Sequence, residues 1–371
     1  MTLADDPDPA RWRRARDIFD VLVDLPPADR GALLDQACGA DLVLRHDIES
    51  LLRFDQSTAD PIEHVVVGAA QAVAQESAWD TYLTVPESIG RYRVIARLGE
   101  GGMGEVFLAE DATLGRQVAV KRPGARLAGN PSARARLFRE ARAAATLNHP
   151  HVCVVYEVGE DATGRPFIAM EFVDGETLAA RIRRGPLALD ELVAIGRQAA
   201  SALDQAHAKG VVHCDLKPSN IMLTTHGIKL VDFGLASIDG QGDAHPGTRS
   251  PEPAVPGPLT RTDRLAGTVP YMSPEQVRGD ARDPRTDVYS LAVVLFEAAT
   301  GRLPFDGATP PAMRQAILTD APHRLEDMRP DLPPLLGALV ARGLARNPAD
   351  RFQRAHDLGT ALAALAALMR A

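Results

Sequence analysis

The chain changes its periodicity at Gly175, and that change limits the folds open to it. Between Gly90 and Val173 the pattern is that of short strands. Tyr92, Val94 and Ala96 alternate with polar positions, a glycine-rich stretch follows, and Val106 and Leu108 resume the alternation. GRQVAVK at 115–121, VCVVYEVGE at 152–160 and PFIAMEFV at 166–173 read as further strands, and one helix is expected over 132–147. Beyond Gly175 long helical runs are expected at 189–208, 286–300, 312–319 and 333–346. A small β-rich lobe over 90–171 followed by a larger α-rich lobe over 172–371 is an α+β, bilobal arrangement. Ahead of it, residues 1–85 read as a small helical region: Asp8-Pro9 suits an N-cap and first turn, and Trp12, Ala15, Phe19 and Leu22 share a helical face.

Composition removes several function classes. The net charge of −8 disfavours nucleic acid or an anionic membrane surface as partner. Cys38, Cys153 and Cys214 are too scattered for a disulfide framework or a zinc pair, and fit a reducing compartment. The opening MTLADDPDPARW is acidic and lacks the apolar core of a signal peptide. No apolar run approaches the roughly 20 residues of a membrane span. A cytoplasmic protein is expected. The segment 239–264, rich in Pro, Gly and small polar residues, is expected to be mobile, because it cannot bury enough apolar surface to offset ordering entropy.

Of 41 Lys plus Arg, only four are lysine: Lys121, Lys209, Lys217 and Lys229. Where such a chain keeps a compact ammonium, a guanidinium is a poor substitute. Lys209, beside a glycine after a helical run, reads as a helix-end charge. Lys121 ends the strand Val118-Ala119-Val120-Lys121, after the glycine loop GEGGMGEV at 99–106. Glycines at 99, 101 and 104 let backbone N–H groups approach phosphates. A strand follows them, not a helix, so a dinucleotide-binding fold is a poor reading. Val106 and Ala119 would form an apolar ceiling for adenine, and Lys121 would reach the α- and β-phosphates. An ammonium at the end of a buried strand needs a counter-charge. Glu140, on a helix face with Ala144 and Leu147, is expected to supply it, while Arg139 and Arg142 point to solvent.

Two further stretches supply the remaining chemistry, VVHCDLKPSN at 211–220 and VDFG at 231–234. Asp215 is a candidate base for a hydroxyl proton. Asn220 and Asp232 are hard oxygen ligands suited to Mg²⁺. Lys217 can neutralise a transferred γ-phosphoryl group.

In this order and over residues 90 to about 366, these motifs resemble the eukaryotic-like protein kinase family, its bacterial serine/threonine branch in particular. The resemblance implies ATP and Mg²⁺ as cofactors and protein Ser/Thr hydroxyls as acceptors. It implies Asp215, Lys217, Lys121 and Glu140 as the catalytic set and Asn220 and Asp232 as metal ligands. Nucleotide contacts would come from Gly99, Gly101, Gly104, Val106, Ala119 and Lys121, with Met170 as gatekeeper, Glu171 and Val173 as hinge and Met222 as floor. Glu275 of Ser273-Pro274-Glu275 would pair with Arg351 and anchor an activation segment over 232–275. Asp287 would hold the catalytic-loop backbone, and Thr268 would help Asp215 and Lys217 receive the substrate hydroxyl. Thr260 and Thr262 are candidate autophosphorylation sites. Residues 1–80 loosely resemble a helical segment ahead of some bacterial kinase domains, which implies a regulatory partner or autoinhibitory role and no chemistry.

Two departures stand out. Cys214 replaces the arginine that in most such kinases meets an activation-loop phosphate, a non-RD pattern, and Ser237 stands where a second basic residue often helps. Arg136 is the one candidate cation left. Loop phosphorylation is therefore not expected to be the main switch. Cys214 reads as a small buried stand-in, since no thiolate-stabilising partner is evident beyond Lys217 and His213. The rival reading is a pseudokinase scaffold that binds nucleotide without efficient transfer, and Cys214 is its only support.

Overall fold

The computed structural model describes residues 86–101, 104–124, 131–233 and 268–368, with Leu34, Ala37, Cys38, Asp41 and Arg45. The remaining residues of 1–85, Gly102, Met103, Gly234, Ser237, the 239–264 segment and Thr260 and Thr262 lie outside the described residues. The chain divides into two compact units, Met1–Ala59 and Asp60–Ala371. In the first, Leu34 and Cys38 are helical and buried.

The second unit opens with a six-stranded antiparallel sheet. Its strands are β1 (Ser88–Ile89), β2 (Tyr92–Gly101), β3 (Gly104–Asp111), β4 (Arg116–Arg122), β5 (Val155–Glu160) and β6 (Pro166–Glu171), in the order β1-β2-β3-β4-β6-β5. Successive side chains leave a strand on opposite faces. Phe107, Val118, Val120 and Phe167 therefore gather on one face with Ile89 and Tyr92. Leu108, Ala119, Ile168 and Met170 gather on the other, against Leu137 and Ala141 of helix α1 (Pro131–Ala145). Lys121, two residues after Ala119, shares the α1 face. The β2–β3 turn requires glycine at 104: its φ is +115°, and a Cβ there would lie 2.2 Å from the Arg122 carbonyl oxygen.

The larger lobe is helical, as the change of period at Gly175 predicts. It contains α2 (Leu178–Arg183), α3 (Leu189–Ala208), α4 (Pro274–Arg278), α5 (Pro284–Thr300), α6 (Pro310–Thr319), α7 (Leu325–Met328), α8 (Pro334–Gly343) and α9 (Ala355–Leu368). A small sheet of β7 (Glu176–Thr177), β8 (Ile221–Thr224) and β9 (Gly227–Leu230) lies among them. Helix α5 is buried on all sides from Thr286 to Phe296, so it runs through the core, with α3, α8 and α9 packed on it. Helices α5 and α6 begin two residues earlier than their apolar patterns suggest. Pro284 and Pro310 take the first helical position, after Asp283 and Thr309 caps. No helix among the described residues is long and apolar enough to cross a membrane.

Candidate active site

Between the lobes lies an open cleft of mostly apolar lining with a polar end. Leu98, Val106 and Ala119 line one side, Met222 and Val231 the other, and Met170, Glu171, Phe172 and Val173 the back. Strand register accounts for this grouping. Ala119 pairs with Leu108 and Met170, and Lys121 with Val106 and Ile168. Lys121 and Asp232 close the polar end of the cleft.

The β8–β9 hairpin places the two expected metal ligands together. Asn220 precedes β8 and Asp232 follows β9, and the Val231 N–H donates to the Asn220 carbonyl at 3.0 Å. The Asn220 amide nitrogen donates to the Asp215 carbonyl at 2.7 Å and to Asp215 Oδ2 at 3.1 Å. That commits its N–H₂ and leaves its Oδ1 for a cation. Asp232 holds a left-handed φ of 61°, a conformation costly for a residue with Cβ. Two side-chain oxygens suit Mg²⁺ bound mainly through phosphate and water.

Asp215 is buried, and its oxygens differ. Oδ2 faces Asn220 and the Lys217 ammonium, the latter at 3.5 Å. Oδ1 is buried without a hydrogen-bond partner among the described residues. Lys217 Nζ also donates to Thr268 Oγ1 at 3.1 Å. The loop carrying these groups hangs from Asp287 on α5, whose carboxylate accepts the His213 N–H at 2.8 Å and the Cys214 N–H at 2.9 Å. His207 Nε2 lies 2.7 Å from the same carboxylate. Gln276 of α4 donates to the Cys214 carbonyl at 2.7 Å. These bonds hold Cys214 at φ 64°. Burial, aided by Asp287 and opposed by Arg282, pushes its thiol up to about 12. A thiol held protonated in this way is a poor nucleophile.

The expected Lys121–Glu140 pair is not formed. Lys121 Nζ instead meets Asp232 Oδ2 at 2.8 Å. Glu140 Oε2 is buried without a hydrogen-bond partner among the described residues. Burial pushes this carboxyl up to about 7, against the opposing pull of Arg136, Arg139 and Arg282. Both carboxylates lie within reach of one lysine by sequence reasoning. The position of α1 decides between them, and here Lys121 pairs with Asp232.

The Glu275–Arg351 pair lies at the far end of the segment. Arg351 is fully buried and donates to both Glu275 oxygens at 2.7 and 2.8 Å. Burial pushes the Glu275 carboxyl up, but the bidentate guanidinium outweighs it and holds the group below the usual carboxylate range.

One residue with no role assigned from the sequence joins the site. The Lys229 ammonium meets Glu171 Oε2 at 2.8 Å, so the strand that leads to Asp232 is tied to the hinge. Its rarity as a lysine was the available signal.

A strand lysine, a loop aspartate, an asparagine and a hairpin aspartate are thus gathered around a two-lobed cleft. The chain belongs to the protein kinase family: the protein kinase domain matches residues 92–358. Its relatives are bacterial serine/threonine kinases. It is 40% identical over 283 residues to the serine/threonine-protein kinase PknB of Mycolicibacterium smegmatis, covering 74% of this chain and 43% of that one. A probable serine/threonine-protein kinase of Streptomyces coelicolor is 40% identical over 276 residues, covering 72% of this chain and 39% of that one. The crystal structure of the Mycobacterium tuberculosis PknI kinase domain superimposes with a TM-score of 0.60 at 31% identity, covering 77% of this chain and all of that one. The matches span about two fifths of the length of the curated relatives.

Proposed function

We propose that this chain is an ATP- and Mg²⁺-dependent protein kinase acting on Ser and Thr hydroxyls of proteins. The observation that carries the reading is Asp215 Oδ1, buried and without a hydrogen-bond partner among the described residues, beside a lysine already bonded to a threonine hydroxyl. A carboxylate oxygen kept free in that setting suits orienting a hydroxyl and accepting its proton.

The roles divide among the chain's own residues. Gly99, Gly101 and Gly104 let the β2–β3 hairpin lie over the phosphates. Val106, Ala119 and Met222 enclose the adenine between the lobes, and the Glu171 and Val173 backbone supplies its hydrogen bonds, with Met170 limiting the depth of the pocket. Lys121 holds phosphate oxygens, and Glu140 orients Lys121 in the active state. Asn220 and Asp232 hold Mg²⁺, which when bound offsets the charge between phosphates. Lys217 stabilises the migrating group, and Thr268 steadies Lys217. Positioning and charge neutralisation provide most of the catalysis.

The site acts in the cytoplasm on protein substrates. Thr260 and Thr262 are its candidate autophosphorylation sites, and residues 1–85 serve a regulatory partner. Cys214 makes the kinase non-RD, and phosphate on the activation segment is not its main switch. The pseudokinase alternative is disfavoured because Lys121, Glu140, Asp215, Asn220 and Asp232 are all present. Asp215→Asn tests the assignment. Phosphate transfer is expected to fall by orders of magnitude while nucleotide binding by titration stays nearly intact; equal loss of both contradicts it.

A further inference from the structure

Strand alternation puts a second set of charged groups directly behind the cleft. Val106 and Lys121 line the cleft and are partners across β3 and β4; their neighbours Glu105 and Arg122 are partners in the same register on the opposite face. There the Arg122 guanidinium donates to Glu105 Oε2 from Nη2 at 2.8 Å and from Nε at 3.2 Å. Both side chains are mostly covered, 12% and 23% exposed. Arg97 of β2 lies 3.7 Å from Glu105 Oε1, so the carboxylate is held from both neighbouring strands. Arg165, in the turn between β5 and β6, lies 3.8 Å from Oε2. Arg122 Nη1 lies 4.0 Å from Asp161 Oδ2 in that same turn, where Asp161 Oδ1 accepts the Thr163 and Arg165 N–H groups at 2.9 and 3.0 Å. The main chain tells the same story independently, since Gly104 rests against the Arg122 carbonyl too closely for any Cβ. Arg122 thus holds residue 104 through its carbonyl and residue 105 through its guanidinium.

We propose that the Arg122–Glu105 pair seats the glycine stretch over Lys121 and so sets the affinity for nucleotide phosphates. Both are positioning residues, acting from the face of the sheet that the nucleotide does not touch. The place of the pair gives it this effect. Strand β3 begins at Gly104 and β4 ends at Arg122, so Glu105 and Arg122 are the last partners of the β3–β4 ladder. The end of a ladder is where strands open most readily. A side-chain bridge there keeps the strands in register up to the first residue after the glycines. The same register holds Val106 beside Lys121 on the cleft face. Backbone N–H groups already in place bind phosphate without a further ordering cost. The proposal rests on the proposed function, because phosphate binding by the glycine stretch belongs to that reading.

The test compares the full chain with Arg122→Gln, Glu105→Gln, the two combined, and Arg122→Lys. The first readout is calorimetric titration with ATP and Mg²⁺. The second is hydrogen exchange of the amides of residues 99–106 without nucleotide. Arg122→Gln and Glu105→Gln are each expected to weaken ATP binding roughly fivefold and to speed exchange by a similar factor, the scale of one mostly covered ion pair. The KM for ATP is expected to rise with the dissociation constant while kcat changes less. The double variant is expected to lose no more than either single one, because the two residues act through one contact. Arg122→Lys keeps the charge and is expected to stay within about twofold of the parent. Arg93→Gln breaks the Arg93–Glu110 pair elsewhere on the same sheet and is expected to leave ATP affinity unchanged. Parental affinity in folded Arg122→Gln and Glu105→Gln overturns the proposal, as do losses that add in the double variant or an equal loss in Arg93→Gln. A parent chain that binds no ATP overturns the proposed function and this proposal with it, whereas a parent that binds beside unaltered variants overturns this proposal alone. If Arg122→Gln does not fold, Glu105→Gln decides by the same two readouts.

Discussion

Arg351→Met would remove the most completely satisfied cation among the described residues. All five of its N–H donors are used. Nε donates to the Ala345 carbonyl at 2.7 Å, Nη1 to Glu275 and the Arg285 carbonyl at 2.7 and 3.0 Å, and Nη2 to Glu275 and the Arg346 carbonyl at 2.8 and 3.1 Å. Methionine fills much of the volume but strands three carbonyls and a buried carboxylate, whose retained bonds include one from the Thr286 hydroxyl at 3.0 Å. Breaking a buried pair on one side costs about 3–5 kcal/mol. For a folded unit of this size that corresponds to a fall of about 6–10 °C in Tm. Removing both charges, with Glu275→Met and Arg351→Met together, is expected to recover part of the loss, because no ion is left unpaired. The pH dependence has a definite sign. The Glu275 carboxyl lies below its ordinary range in the folded protein, so the pair's contribution is complete above the unfolded carboxylate value and is lost as pH falls through the lowered one. The gap between parent and Arg351→Met should therefore narrow in acid. Thermal and urea unfolding followed by circular dichroism measure all of this. A loss below about 1 kcal/mol, or a double variant less stable than the single one, would refute the reasoning.

Gly104→Ala and Gly115→Ala form a contrasting pair. Both glycines have positive φ, but a Cβ at 104 meets the Arg122 carbonyl at 2.2 Å while one at 115 meets nothing within 4 Å. Nucleotide titration is expected to show a loss of at least about tenfold in affinity for Gly104→Ala, whereas Gly115→Ala costs only about 1 kcal/mol of stability. Thr260→Ala combined with Thr262→Ala is expected to leave most of the phosphotransfer rate, measured on an exogenous protein substrate. Abolition of activity with the fold intact would return the switch to the activation segment.

Much of this could be read from the amino acids because its determinants are local. The strand alternation before Gly175, the glycine turn at 99–104 and the close spacing of Asp215, Lys217 and Asn220 each occupy a few residues. The bilobal layout follows from them. What escaped reading depends on distant partners. Lys121 meets Asp232 and not Glu140 because the placement of a whole helix decides between two carboxylates, and no spacing encodes that placement. Lys229 finds Glu171 across 58 residues. Helix α2 and strand β7 are too short for a periodic signal. Cys214 marked the catalytic loop as unusual, yet only the fold reveals that Asp287 and Gln276 hold its main chain.

The account's central claim is that Asp215 performs phosphoryl transfer to Ser or Thr despite Cys214. Incubation of the full chain with radiolabelled ATP and Mg²⁺, beside Asp215→Asn, followed by phosphoamino-acid analysis, tests it most directly. Label on serine or threonine in the parent and its near-complete loss in Asp215→Asn is the predicted result; no label in the parent, or equal label in both, contradicts it.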